Sequence, residues 1–163
     1  ALVGVFFGFY PARRAARLQA VQALYQLEQT GATPEAIVAE FERHHWTEGE
    51  SGEGAADAAL FRDLVLGAAR EREKLDALIG PLLAEGWTMP RLPLVLAAAL
   101  RAGAFELATY PEVPPRATIN EYVEVAHEFL DGEEPGLVNA LLDRLARALR
   151  PDEMSAEPAR VRV

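Results

Sequence analysis

One apolar stretch near the middle of the chain limits the fold more than any other feature. Residues 92–107, LPLVLAAALRAGAFEL, place apolar side chains on nearly every side of a helix. Such a helix has to be enclosed, either by other helices or by lipid. The stretch is short for a membrane span and contains Arg101 and Glu106, so enclosure by protein is favoured. We therefore predict a central buried helix from Pro93 to about Thr109.

Helical periodicity recurs along the rest of the sequence, whereas the alternation typical of strands does not. The predicted fold class is all-α, with two packed helical subdomains and about seven helices. The seam between the subdomains is expected at residues 80–93, where glycine and proline interrupt the pattern. The predicted helices cover residues 12–29, 34–43, 55–79, 93–109, 115–130 and 135–150.

The expected domain organisation has four parts. An apolar extension, residues 1–11, is too short to span a bilayer and is expected to be disordered. The N-terminal subdomain covers residues 12–80 and the C-terminal subdomain covers residues 81–150. Pro151 is expected to stop the last helix, which leaves residues 151–163 as a disordered tail.

Three local features carry separate expectations. The helix near residue 115 has two alternative starts, either Pro115 in the first turn or a capping box from Thr118 to Glu121. The helix over residues 55–79 is expected to bury Leu78 on its apolar stripe. The Gly- and Glu-rich sequence TEGESGEGAAD, residues 47–57, predicts a surface loop.

The charge balance limits the partners that the chain can bind. Sixteen basic and 25 acidic residues give a formal net charge of −9. Nonspecific attraction to nucleic acid or to an anionic membrane is disfavoured at this charge, so a nucleic-acid site has to be a local patch helped by a basic partner. The chain has no cysteine, which excludes disulfides and thiolate zinc sites and fits the reducing cytoplasm.

Catalytic and metal-binding patterns are weak throughout. The histidines are His44, His45 and His127, and adjacent residues such as the first two do not share a helix face. The carboxylates of Glu121, Glu124 and Glu128 are typical of a solvated helix face. No P-loop, G-x-S-x-G or G-x-G-x-x-G sequence occurs. We therefore expect no enzyme activity, no metal and no cofactor.

Three arginines precede the apolar stripe of the first helix, and they allow two interpretations. Arg13 and Arg17 lie on one side of that helix, with Arg14 at its flank. Cations at a helix start oppose the helix dipole by about 0.3–1 kcal/mol each, yet they suit phosphate oxygens. Because arginine is not buried without a partner, we expect these first turns to overhang the bundle or to fray from it, either merely solvated or placed to hold phosphate.

Four segments of the chain resemble the NusB family of bacterial transcription antitermination factors. The first two match its opening helix and its long third helix, and the last two match its C-terminal half. The block INE-x-VE, followed downstream by VN-x-LLD, is the most specific part. The segments are RRAARLQAVQALYQLE, LFRDLVLGAAREREKLDALIGPLL, LRAGAFELATYPEVPPRATINEYVEVAHEF and GLVNALLDRLAR.

This resemblance implies an RNA-binding adaptor in transcription antitermination, without a catalytic site or cofactor. The family holds the boxA element of nascent ribosomal RNA together with NusE, a small-subunit ribosomal protein. Its further partner is the RNA polymerase elongation complex, its place is the cytoplasm, and membrane binding is not expected. Homodimers of some relatives hide the arginine surface, so a homodimer stays open here.

The resemblance also implies site residues. For RNA binding these are Arg13, Arg14, Arg17, Tyr25 and Asn139. Tyr25 and Asn139 also have structural interpretations, because Tyr25 lies on the apolar stripe and Asn139 could hydrogen-bond within the bundle.

Partner binding and the alternative functions concern other features. The candidates for contact with the protein partner, NusE, are Arg101 and Glu106. One alternative is a stand-alone NusB-like substrate-recognition domain of a ribosomal RNA cytosine methyltransferase, which would need a catalytic domain with a reactive cysteine. The other is a protein–protein adaptor that does not contact RNA.

Overall fold

The computed structural model describes residues 2–45 and 54–156, and the side chains of residues 12–44 and 58–156. Within those ranges the chain is helical and contains no strand, which confirms the predicted all-α class. Single 3₁₀ turns at Gly80–Leu82 and Met89–Arg91 occupy the predicted seam. The α-helices are α1 (Leu2–Thr30), α2 (Pro34–His45), α3 (Gly54–Arg70), α4 (Arg72–Ile79), α5 (Leu94–Thr109), α6 (Pro115–Phe129), α7 (Glu134–Leu149) and α8 (Pro151–Ser155).

Local chemistry explains several helix ends. Gly31 follows α1 with φ of 66°, a left-handed conformation that glycine adopts without strain. The Thr33 hydroxyl accepts a hydrogen bond from the Ala36 amide at 3.2 Å, and Pro34 is the first residue of α2. α6 begins at Pro115, whereas Thr118 is fully buried inside the helix. The proline start is therefore confirmed, and the capping box is wrong.

The central helix predicted from the apolar stretch is α5. It packs against α1, α3, α4, α6 and α7, and its residues from Leu96 to Leu107 are all buried. Two glycines allow close approach of its neighbours. A Cβ at Gly67 of α3 would lie 2.1 Å from the Phe105 ring, and one at Gly103 would lie 2.8 Å from Leu142 of α7. The core formed around α5 is one cluster that includes residues of both predicted subdomains.

Two helical segments differ from the predictions. α1 begins at Leu2, so most of the extension that we expected to be disordered is helical. The helix predicted over residues 55–79 is interrupted at Glu71, which separates α3 from α4. Within α4 only Leu75 and Ile79 are buried, four residues apart on one side. Leu78 lies outside that stripe and is exposed, contrary to its predicted burial.

The chain also continues in order beyond the predicted last helix. α7 ends at Leu149, just before Pro151, as predicted. Pro151 is itself the first residue of α8, a position that suits proline. Met154 is buried, and its carbonyl accepts a hydrogen bond from Arg116 Nη2 at 2.9 Å. The expectation of disorder is therefore wrong for residues 151–155, because an apolar side chain docks this short helix. The surface loop predicted over residues 47–57 is wrong for residues 54–57, which belong to the first turn of α3. Residues 47–53 of that loop and the tail over 157–163 lie outside the described residues.

Candidate nucleic-acid interface

The three arginines of α1 differ sharply in their surroundings. Arg13 is exposed and forms no ion pair with any side chain that the structure describes. Arg14 is half exposed, and its Nε donates to Glu121 Oε2 of α6 at 3.4 Å. Arg17 is only 4% exposed. The charge of α1 that RNA could reach is therefore carried by Arg13 and Arg14.

Arg17 belongs to a buried ion pair that links α1 to α5. Its Nε donates to both carboxylate oxygens of Glu106, at 3.2 and 3.1 Å, and its Nη2 donates to Oε1 at 2.5 Å. The Tyr122 hydroxyl donates to Glu106 Oε2 at 2.8 Å. The carboxylate of Glu106, which is fully buried, is thus satisfied by a cation and a phenol.

The same contacts shift two pKa values. Burial alone would lower the pKa of Arg17, but the hydrogen bond and negative charge of Glu106 outweigh it and raise that pKa. Burial and the charge of Glu106 raise the pKa of Tyr122 well above its ordinary value. Arg17 is therefore a permanent cation, and Tyr122 a neutral donor, at any pH near neutrality.

The expectation that these turns overhang the bundle is wrong for Arg17. A buried arginine needs partners, as the sequence argument held. Glu106 of α5 and Glu121 of α6 are those partners, and both lie far from Arg17 in the sequence. An RNA contact needs exposed donor groups, which the structure does not offer at Arg17. The geometry assigns Arg17 a structural role instead.

The two predicted partner-binding residues are buried as well. Glu106 lies in the cluster with Arg17, and Arg101 is only 7% exposed. Arg101 binds Asp76 of α4 through Nε at 2.7 Å and Nη2 at 3.0 Å, and its Nη1 lies 3.6 Å from Glu28. Neither side chain offers surface to a partner, so the structure does not support that assignment. Both form ion pairs within the bundle.

Tyr25 and Asn139 are accessible in different degrees. Tyr25 is half-buried on α1, and its hydroxyl accepts a hydrogen bond from Gln29 Nε2 at 2.6 Å. Asn139 is exposed on α7, two residues after Leu137, which is also exposed. Neither hydrogen-bonds to the arginines of α1 within the described part of the chain. The structure unites Arg14 and Arg17 through Glu121, and leaves Tyr25 and Asn139 apart from that cluster.

Sequence reasoning missed the carboxylates that partner the arginines. A signal for them was present, because a lone arginine and a lone glutamate inside an otherwise apolar helix each require an opposite charge. Glu121 lay in a row that we interpreted as a solvated face, and the structure buries it. The sequence did not indicate whether Trp87 is buried. In the structure it is 53% exposed, in the segment before α5.

The described residues also bear on metal and membrane binding. Among them, no three His, Asp or Glu side chains are grouped closely enough to hold a metal ion. None of the described helices combines the length and the apolar character that crossing a bilayer requires.

The sequence matches the NusB family model over residues 14–147. It is 50% identical over 147 residues to the transcription antitermination protein NusB of Rhodopseudomonas palustris (strain BisB18), covering 88% of this chain and 86% of the relative. It is likewise 50% identical over 145 residues to the protein of that name from Bradyrhizobium diazoefficiens, covering 86% and 87%.

Solved structures share the fold. T. maritima NusB superposes with a TM-score of 0.75 at 28% identity, covering 87% of this chain and 95% of that one. A chain from a crystal structure of the antitermination factors NusB and NusE in complex with dsRNA gives a TM-score of 0.73 at 24% identity, covering 85% and 98%. The helical architecture described above is therefore that of the antitermination factors.

Proposed function

Because the chain belongs to the NusB family, we propose that it is an RNA-binding adaptor in transcription antitermination. In this role it holds the boxA element of nascent ribosomal RNA together with NusE. The observation that carries the proposal is the 50% identity to antitermination proteins over most of both chains. The same identity favours this role over that of a methyltransferase recognition domain.

The proposed RNA contact lies on α1 at two exposed arginines. Arg13 and Arg14 present guanidinium groups there, and guanidinium binds phosphate oxygens in pairs. Tyr25 and Asn139 are retained as candidates for base contact, since stacking and base-edge hydrogen bonds are how proteins recognise single-stranded RNA. Arg17 is left out because its donor groups are buried.

The charge of the chain argues for joint binding. The two accessible arginines of α1 neutralise only a few phosphates, and the net charge of −9 on the whole chain disfavours RNA. A basic partner beside α1 would supply the missing cations, and NusE is the partner proposed. The role needs no catalytic group and no cofactor, and it places the chain in the cytoplasm beside RNA polymerase.

The proposed site is tested by replacing the two accessible arginines of α1. We expect Arg13→Ala with Arg14→Ala to weaken binding of single-stranded boxA RNA about tenfold at low salt, since charged hydrogen bonds are lost. Fluorescence anisotropy with the full chain measures this. The matched control is Arg62→Ala with Arg147→Ala, which removes the same charge from two half-exposed arginines, each paired with one acid. Equal affinities of the two double variants would contradict the site.

The joint mechanism is tested with the partner present. Adding NusE is expected to raise the affinity for boxA RNA, and to do so less for the Arg13→Ala, Arg14→Ala variant. The affinity of the assembly should fall steeply as salt increases, because each phosphate contact releases counterions. An RNA affinity that NusE leaves unchanged would contradict the adaptor role and favour an adaptor without RNA contact.

A further inference from the structure

Glu121 of α6 lies beneath the arginines of α1 and reaches two of them. Its Oε2 is 3.4 Å from Arg14 Nε and 3.8 Å from Arg17 Nη1. Its side chain is only 9% exposed. A buried carboxylate needs compensating charge, and these two guanidinium groups are the ion-pair partners that the described residues give it.

The two arginines do not compensate Glu121 equally. Arg17 is already bound by Glu106 through three short contacts, at 2.5 to 3.2 Å. The charge of Glu121 therefore depends mainly on Arg14. Arg14 is also one of the two arginines of α1 that RNA could reach, because about half of its side chain is exposed. One guanidinium group thus serves two anions, an internal carboxylate and an incoming phosphate.

We propose that Glu121 limits the RNA affinity of the chain by competing with phosphate for Arg14. The proposal rests on the RNA-binding role given above. At 3.4 Å the contact is longer than the 2.7–2.9 Å usual for charge-assisted hydrogen bonds, so a phosphate that accepts two donors can draw Arg14 away. Until that happens, the carboxylate cancels part of the positive potential of α1.

This competition gives the joint mechanism a local cause. Of the two accessible arginines of α1, Arg13 has no acidic partner among the described side chains, whereas Arg14 contacts Glu121. RNA bound to the chain alone has to outcompete Glu121, whereas RNA also held by a basic partner has further contacts that offset this cost. Glu121 thereby favours the complete assembly over binding of RNA to the free chain.

The test is Glu121→Gln, which keeps the shape of the side chain and removes its charge. We expect the free chain to bind single-stranded boxA RNA roughly two- to fivefold more tightly at low salt, the range that a part-exposed ion pair contributes. The slope of log K against log salt should also steepen, by up to about 0.7 for one added phosphate contact. Unchanged or weaker binding would overturn the proposal.

Two controls separate competition from simpler effects. Glu124→Gln removes the same charge from an exposed position on the same helix, and it is expected to change affinity less than Glu121→Gln. In an Arg14→Ala background the gain from Glu121→Gln should disappear, because the contested group is absent. A gain that persists without Arg14 would also overturn the proposal. Helical circular dichroism and the urea midpoint verify that each variant is folded.

Failure of this inference is distinguishable from failure of the adaptor role. If the unmodified chain binds boxA RNA and loses affinity on Arg13→Ala with Arg14→Ala, the role stands whatever Glu121→Gln does. If that double variant binds as the unmodified chain does, the RNA site on α1 is refuted first.

Discussion

At the scale of single residues, the decisive feature is the buried ion pair of Arg17 and Glu106. Removing a carboxylate and a guanidinium from water costs several kcal/mol for each ion. The structure offsets that cost with hydrogen bonds from Arg17 and Tyr122 to both oxygens of Glu106. Each member of the cluster is therefore needed by the others, and loss of one leaves an uncompensated charge or acceptor.

Replacement of Arg17 tests this dependence. We expect Arg17→Met to lower the free energy of unfolding by about 3–5 kcal/mol, since Glu106 is left buried and unpaired. Urea denaturation measures the change. Adding Glu106→Gln to that variant should recover part of the loss because the stranded charge is removed. Arg13→Ala, at an exposed position, is expected to stay within about 0.5 kcal/mol. Equal stability of Arg17→Met and Arg13→Ala would contradict the structural role.

The buried phenol predicts a loss of stability in alkali. The pKa of Tyr122 is raised, so above about pH 10 the unfolded chain releases the phenol proton while the folded chain keeps it. Stability present below that pH is lost as pH rises further, by up to about 1.4 kcal/mol per pH unit. Urea midpoints between pH 8 and 11 should fall less steeply for Tyr122→Phe. An equally steep fall of the urea midpoint in the unmodified chain and in Tyr122→Phe would contradict the prediction.

These residue-scale contacts were only partly predictable. Residue type and spacing identified α1 as cationic and α5 as buried. Which acid meets which base depends on how helices distant in sequence pack together. Arg17 and Glu106 are 89 residues apart, and no local pattern encodes that meeting. The spacing placed Arg13 and Arg17 on one side of α1, yet it identified no partner for either.

At the scale of helices, close packing around α5 depends on residues without side chains. Because Gly67 of α3 has no Cβ, the Phe105 ring of α5 occupies the space that a Cβ would take. In the same way, the Leu142 side chain of α7 occupies the space beside Gly103 of α5. Interiors are packed too densely for such volume to be added without displacement. The positions of α3 and α7 against α5 are therefore set by two small residues.

Substitution of Gly67 tests this closeness. Alanine favours helix by about 1 kcal/mol over glycine, but at Gly67 its methyl group would overlap the Phe105 ring. We expect Gly67→Ala to destabilise the protein by about 1–3 kcal/mol, the usual cost of overpacking. The matched variant is Gly136→Ala in α7, where a Cβ meets nothing within 4 Å. Urea unfolding should show Gly136→Ala to be neutral or stabilising, and the same result for Gly67→Ala would contradict close packing.

Most helices were predictable because their signals are local. Proline at Pro34 and Pro115 and the glycine at Gly31 define ends that the structure reproduces. The interruption at Glu71 contains no glycine or proline, so no local signal divides α3 from α4. The docking of α8 depends on burial of Met154. That burial is a tertiary contact, and a five-residue segment is too short to predict it from its own sequence.

At the scale of the whole molecule, one core unites the two subdomains predicted from the sequence. α5 contacts helices from both sides of the seam, and the buried apolar residues form one cluster. The ion pair between α1 and α5 crosses the same division. Neither half keeps its hydrophobic surface covered without the other, which favours a single cooperative unit.

Cooperative unfolding is the corresponding prediction. Far-UV circular dichroism reports all helices, whereas Trp87 fluorescence, measured in a Trp46→Phe variant, reports the segment before α5. We expect the two signals to give the same urea midpoint in a single transition. Two separated midpoints would mean that the subdomains unfold independently and that the shared core contributes little.

The charge pair between α1 and α5 also constrains how this sequence can change over generations. A lineage that loses Arg17 alone keeps a stranded carboxylate, and one that loses Glu106 alone keeps a stranded cation. Either single loss would remove a large part of the free energy of unfolding, which is about 5–15 kcal/mol for a typical domain. Positions 17 and 106 should therefore covary among descendants, with both charges kept or both replaced, and with single replacements rare.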